Sequence, residues 1–154
     1  METEQILKVS ADDFFDLLFN SICHDISAAL GEEVDKSLVS TGYTYSKKLT
    51  TRLGTKGKSS VTIDELTRPT AYKASFNTPQ GLNTIAYEIE ETDPGQIKVK
   101  VTESFTAASK WTELNFKIIS PLFRKSSKKR VARTLQAMEA YIIEQNKILK
   151  EQPE

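Results

Sequence analysis

Cysteine, histidine, net charge and long apolar runs are all scarce in this chain of 154 residues. Its single cysteine, Cys23, cannot close an intrachain disulfide, so the fold cannot depend on a covalent staple. The single histidine, His24, leaves no Cys/His set for a tetrahedral metal site and only one candidate base for a nucleophile triad. Twenty-one basic residues cancel twenty-one acidic ones, which excludes a global field steering the molecule to nucleic acid or an anionic membrane. The apolar stretches fall far short of the roughly 20 residues needed to span a bilayer, so no membrane insertion is expected. Met1 to Gln5 lack the basic and apolar regions of a signal peptide; with an unpaired cysteine, this fits a reducing cytoplasm.

Hydrophobic residues make up 38% of the chain and charged residues 27%, ordinary globular values that exclude disorder and fibrous repeats. The length suits one domain, 1–154, able to bury a core unaided. Ile6, Leu7 and Val9 predict a short first strand. Ser10 followed by Asp13 reads as a capping box opening a helix, along which Phe14, Leu18, Ile22, Ile26 and Ala29 recur at helical spacing until Gly31 stops it.

From about Leu38 to Thr106 the period changes to alternation, in short segments separated by turns. Tyr43, Tyr45 and Leu49 share one parity; Val61 and Ile63, then Tyr72, Ala74 and Phe76, then Ile85, Tyr87 and Ile89, then Ile97, Val99, Val101 and Phe105 repeat the pattern. Pro79-Gln80-Gly81 and Asp93-Pro94-Gly95 supply turns, the second with Pro94 presetting φ and Gly95 accepting the positive φ of a type II turn. Pro121 predicts a break between any helix around Trp111 to Ile119 and the final helix. That helix is expected to open near Ser127 and to carry Val131, Leu135, Met138, Ile142 and Leu149 on one stripe, with residues 150–154 frayed.

Two helices cannot cover both faces of so many strands. The economical arrangement is α+β: a helix-grip fold, in which a curved antiparallel β-sheet of six to seven strands wraps a long C-terminal α-helix, with an N-terminal helix after the first strand. Ser10-Ala11-Asp12-Asp13-Phe14-Phe15, the Asp25-Ile26 and Gly42-Tyr43 neighbourhoods, and Pro121-Leu122-Phe123 leading into Lys128-Lys129-Arg130 give the chain its likeness to a known group. In order and pattern it resembles the START/polyketide-cyclase (SRPBCC) superfamily, and within it a bacterial family of uncharacterised members. The resemblance covers nearly the whole chain. It implies a cavity between sheet and last helix that in many relatives takes lipids, polyketides, hormones or other apolar ligands. It brings no catalytic residues, because the superfamily has no shared set.

Several charges fall on apolar parities. Asp25 sits beside Phe14, Leu18 and Ile22 on the first helix, and a lone buried carboxylate is costly unless paired or hydrogen-bonded. Glu103 shares the parity of Val99, Val101 and Phe105, Glu65 that of Val61 and Ile63 but near a strand end where solvent is close, and Lys47 lies between Tyr45 and Leu49. Two readings stand open. The charges reach a rim or pair, Lys47 with Glu103 or Asp25; or they are polar anchors inside an apolar cavity, where a raised carboxylate pKa would also suit acid/base chemistry.

Tyr43, Tyr45, Tyr72, Phe76, Tyr87, Phe105 and Trp111 supply aromatics to the sheet. Aromatics at alternating spacing build cores, but buried phenols need partners, so several on one concave face equally suit a space holding water or ligand. The expected lining is Tyr43, Tyr45, Tyr72, Phe76, Tyr87, Glu103, Phe105, Met138 and Ile142, with Asp25 and Glu103 as polar contacts and Lys47 as counter-charge. No catalytic residue, metal ligand or cofactor is assigned, and His24 is expected to face solvent.

Gly57-Lys58-Ser59 ends like a phosphate-binding loop, but Arg52 stands where that motif needs glycine, and the setting lacks a helix N-terminus; a hairpin tip is expected. Arg124, Lys125, Lys128, Lys129, Arg130 and Arg133 form a basic run. At a helix start such a run opposes the macrodipole, which leaves room for a bound anion or an acidic partner.

The leading expectation is a cytoplasmic carrier or sensor for an apolar or amphipathic small molecule. One alternative is an interaction module docking the Arg124–Arg133 face on an acidic protein or nucleic acid; another is a small cyclase or hydratase. Nucleic acid is the weaker partner, since the aromatics point inward instead of being displayed for base stacking. A cavity shared across a homodimer stays open.

Overall fold

The protein's structure, a computed structural model, describes residues 1–50, 56–107 and 110–151, and the side chains of 1–48, 58–107 and 128–151. Leu49, Trp111, Arg124 and Lys125, named above from the sequence, therefore lie outside the described side chains.

Strand β1 (Glu2–Leu7) leads into helix α1 (Ala11–Leu30). Ser10 is extended and its hydroxyl accepts the Asp13 N–H at 3.1 Å, as an N-cap should. Gly31 closes the helix in the left-handed region at φ 74°, its N–H bonded to the Ser27 carbonyl. Five strands follow: β2 (Thr44–Thr50), β3 (Lys56–Thr67), β4 (Ala71–Thr78), β5 (Gly81–Asp93) and β6 (Gln96–Ala107), and then helix α2 (Lys110–Glu151). All neighbours pair antiparallel, in the order β1-β6-β5-β4-β3-β2. The chain thus has the expected helix-grip α+β fold with six strands.

One face of the sheet makes the core. Val61, Ile63, Ala74, Ile97, Val99 and Val101 are sealed against Phe14, Ile22 and Ile26 of α1 and Val131 and Leu135 of α2. At the β4–β5 hairpin the approach is so close that a Cβ on Gly81 would lie 2.3 Å from the Thr106 carbonyl oxygen and 2.9 Å from the Phe105 ring, which only glycine permits.

Five expectations change. The register shifts between Ile63 and Glu65, so the strand's parity flips: Glu65 is exposed and Leu66 turns inward. Gly57, Lys58 and Ser59 are not a hairpin tip but lie within β3, paired with Leu49, Lys48 and Lys47. Pro121 does not end a helix: α2 runs unbroken from Lys110 to Glu151, since a proline removes one intrahelical bond and a helix of 42 residues retains the rest. Leu149 is 66% exposed, because it lies about 10 Å along α2 beyond Ile142, the last buried residue of that helix among those described, at 1.5 Å per residue. The same helix stays regular as far as Glu151, one residue beyond where fraying was expected to begin.

The long helix has an electrostatic consequence. Residues 124–133 fall in its interior, more than two turns from its first residue at Lys110, so the basic run no longer opposes the helix N-terminus, where the dipole acts within one turn. Lys128, Lys129, Arg130 and Arg133 are simply exposed to solvent.

Candidate functional site

The C-terminal half of α1 lies against the edge strand β2, and their facing positions build a polar cluster. Asp25, half-buried on α1, accepts the Tyr45 hydroxyl at 2.6 Å and receives the Lys47 ammonium at 3.4 Å on each carboxylate oxygen. Lys47 also stands 5.5 Å above the Phe76 ring centroid, so its charge is shared between a carboxylate and an aromatic face. Tyr43 packs beside Tyr45, ring centroids 6.2 Å apart. Burial, and then the Asp25 hydrogen bond, push the Tyr45 phenol well above the ordinary tyrosine range.

This cluster borders a cleft of about 730 Å³, flanked by Ala28 to Gly31 at the end of α1 and by Ser46, Lys47, Lys48 and Lys58 on the β2–β3 hairpin; among the described residues its lining includes Asp25 and Lys47 of the expected set and none from α2, where the sequence placed the cavity. That volume lies within the span of small-molecule sites.

A second polar group lies across the sheet. Glu103 on β6 pairs at 3.5 Å with Arg130 of α2, a largely exposed side chain. Tyr87, opposite Val101 on β5, has its phenol raised by burial first and then by the Glu103 charge. Between the two groups Tyr72 and Tyr87 pair across strands with centroids 6.0 Å apart, and burial raises the Tyr72 phenol strongly.

The structure therefore divides the sequence-derived residues. Asp25, Tyr43, Tyr45, Lys47 and Phe76 come together at the β2 edge. Tyr87 and Glu103 stand with Arg130 at the α2 side, Tyr72 bridges the groups, and Phe105 faces Asn83 farther along β6. Met138 is half-buried and Ile142 buried on α2. Of the pairings weighed for Lys47, Asp25 is the one present. Glu103 is four strand spacings away, roughly 19 Å around the sheet, beyond a lysine's reach. His24 is exposed, whereas Cys23 is 3% exposed, with burial raising its thiol. Among the described residues no set of three or more His, Cys, Asp or Glu side chains is placed to hold a metal ion, and no helix is long and apolar enough to cross a membrane.

Ser59 entered the sequence reading only within Gly57-Lys58-Ser59 and was not counted among the site residues. It is fully buried directly opposite Lys47 in the β2–β3 ladder, and its hydroxyl has no hydrogen-bond partner among the described residues. Its parity with Val61 and Ile63 was the available signal, but serine is common on either face of a strand.

Comparison with known proteins adds the family. Residues 1–124 match the model of a domain of unknown function, DUF3284. The chain belongs to that family. No curated protein matches it. Solved structures share the fold of this DUF3284 domain at low identity. A point mutant of Thalictrum flavum norcoclaurine synthase, in complex with a transition-state analogue, is similar with a TM-score of 0.64, 12% identity and coverage of 95% of this chain and 94% of that one. Ara h 8.0201 gives 0.60, 14%, 94% and 97% respectively. A conserved protein from Geobacillus kaustophilus gives 0.59, 11%, 93% and 94%. The DUF3284 domain thus has the helix-grip fold, as the START-type resemblance implied, and its function must be argued from its own side chains.

Proposed function

We propose that this DUF3284 domain is a carrier or sensor that takes an apolar or amphipathic small molecule in the cleft between the C-terminal end of α1 and the β2–β3 hairpin, with the polar end of the ligand at the β2 edge. The observation that carries this reading is the Asp25–Lys47–Tyr45 cluster at the border of the 730 Å³ cleft, with the Phe76 ring beneath Lys47. Such a site offers what a ligand pocket needs: apolar area for affinity and a few placed polar groups for orientation.

The fold neighbours support a cavity of this kind, since one of them is a synthase that holds a transition-state analogue. An amphipathic ligand also fits the chemistry of the cluster, whose ion pair is long at 3.4 Å and leaves the ammonium able to reorient. The basic face of α2 is the weaker alternative, because its electrostatic mismatch with a helix start has vanished and Arg130 is engaged with Glu103.

Titration with Nile red, a neutral probe that brightens in apolar surroundings, tests the reading. Saturable binding by the intact chain is expected, lost in Phe76→Asp with the circular dichroism spectrum retained. Undiminished binding by that variant would place the site elsewhere.

A further inference from the structure

We infer that the cleft takes a short extended peptide with alternating acidic and apolar side chains, which adds to the free edge of β2 as a further strand of the sheet. This rests on the cleft reading above and names the class of molecule the cleft takes.

The backbone of β2 is the first observation. Among the described residues β2 pairs only with β3, so its other side carries unpaired N–H and C=O groups. The Ile63 N–H donates to the Tyr43 carbonyl at 2.8 Å, which sets the backbone groups of Tyr43, Tyr45 and Lys47 toward β3. Those of Thr44, Ser46 and Lys48 therefore point away from the sheet, and all three residues are exposed. Ser46 and Lys48 both line the cleft. Such an edge is a template for a guest strand, whose main-chain hydrogen bonds supply affinity and whose alternate side chains supply specificity. A guest spanning Thr44 to Lys48 needs about five residues, roughly 16 Å of strand. A fatty tail would leave these backbone groups unanswered.

The side chains on the two faces are the second observation. Successive side chains of a guest strand point to opposite faces of the sheet. On the face that α1 covers, the cleft wall is Ala28, Ala29 and Leu30, with Leu30 47% exposed, and Lys47 is already held by Asp25. Apolar guest side chains fit there. On the opposite face lie Lys48 and Lys58, exposed and directly paired across β2 and β3, a like-charge arrangement that an acidic neighbour relieves. A second copy of the chain fits poorly, because pairing β2 to β2 would set Lys47 and Lys48 of one copy beside those of the other.

The test adds a blocked pentapeptide of alternating valine and glutamate to the intact chain carrying Nile red. Displacement of the dye is expected, together with slowed amide exchange at Ser46 and Lys48 and unchanged exchange at Tyr45 and Lys47. Lysine in place of glutamate should weaken the peptide about tenfold, and methylating its backbone nitrogens should abolish displacement. Lys48→Glu, at an exposed position, should reverse the charge preference while leaving the Asp25–Tyr45–Lys47 cluster in place. Displacement by dodecanol and dodecanoate but not by the peptide overturns the inference while the cleft stands. Self-association that protects the Ser46 and Lys48 amides without peptide also overturns it. Failure of Nile red itself to bind overturns the cleft reading on which the inference rests.

Discussion

The Tyr45 hydroxyl and the Asp25 carboxylate meet at 2.6 Å, tying the edge strand β2 to α1 across twenty residues of sequence. β2 has a neighbour on only one side, so this bond and the Lys47 contact hold the free edge of the sheet against the helix.

Tyr45→Phe therefore isolates one charge-assisted hydrogen bond. Such bonds contribute about 1.5–3 kcal/mol when buried, and the Asp25 side chain is 43% exposed, so a loss of about 1 kcal/mol is expected. Urea denaturation should show a lower midpoint with an unchanged slope. An unchanged midpoint would mean that the bond contributes nothing to stability.

Alkaline pH should weaken the fold through the same residue. The folded pKa of Tyr45, and likewise of Tyr72 and Tyr87, is raised above the unfolded value of about 10. For a raised pKa the native state binds the proton more tightly, so this stabilisation is complete below pH about 10. It is lost as pH rises from there through the folded values. Unfolding free energy measured from pH 8 to 11 should fall above about pH 10, and Tyr72→Phe should flatten the fall. A flat profile in the wild type would contradict the burial of these phenols.

Much of the architecture was legible because two periods are distinct: 3.6 for Phe14, Leu18, Ile22 and Ile26, and 2 for Ile97, Val99 and Val101. Turn chemistry marked the hairpins, and Gly95 takes the positive φ of 73° that its position in the turn required. What escaped depends on tertiary geometry. A bulge leaves no mark in parity, so Glu65 was grouped with Val61 and Ile63. A proline within a helix resembles one between helices, so the basic run was set at a helix start it does not occupy. The pairing of Lys47 with Asp25 over Glu103 follows from strand order, which alternation does not encode. Ser59 carries no chemical signal until its burial and missing partner are seen.

Ser59→Ala should stabilise the fold. Removing a buried hydroxyl with no partner relieves its desolvation, so the ligand-free protein is expected to gain about 1 kcal/mol. Thermal unfolding of the ligand-free variant checks this. Destabilisation of similar size would show instead that the hydroxyl is satisfied in the folded protein.

The central claim is that the cleft between α1 and the β2–β3 hairpin holds a small molecule. Native mass spectrometry of gently purified protein, compared with the denatured mass, tests it most directly. The account predicts a reproducible extra mass on the folded chain that is absent after denaturation and is lost in Phe76→Asp. A folded chain that stays bare after incubation with cell extracts and with Nile red would contradict it.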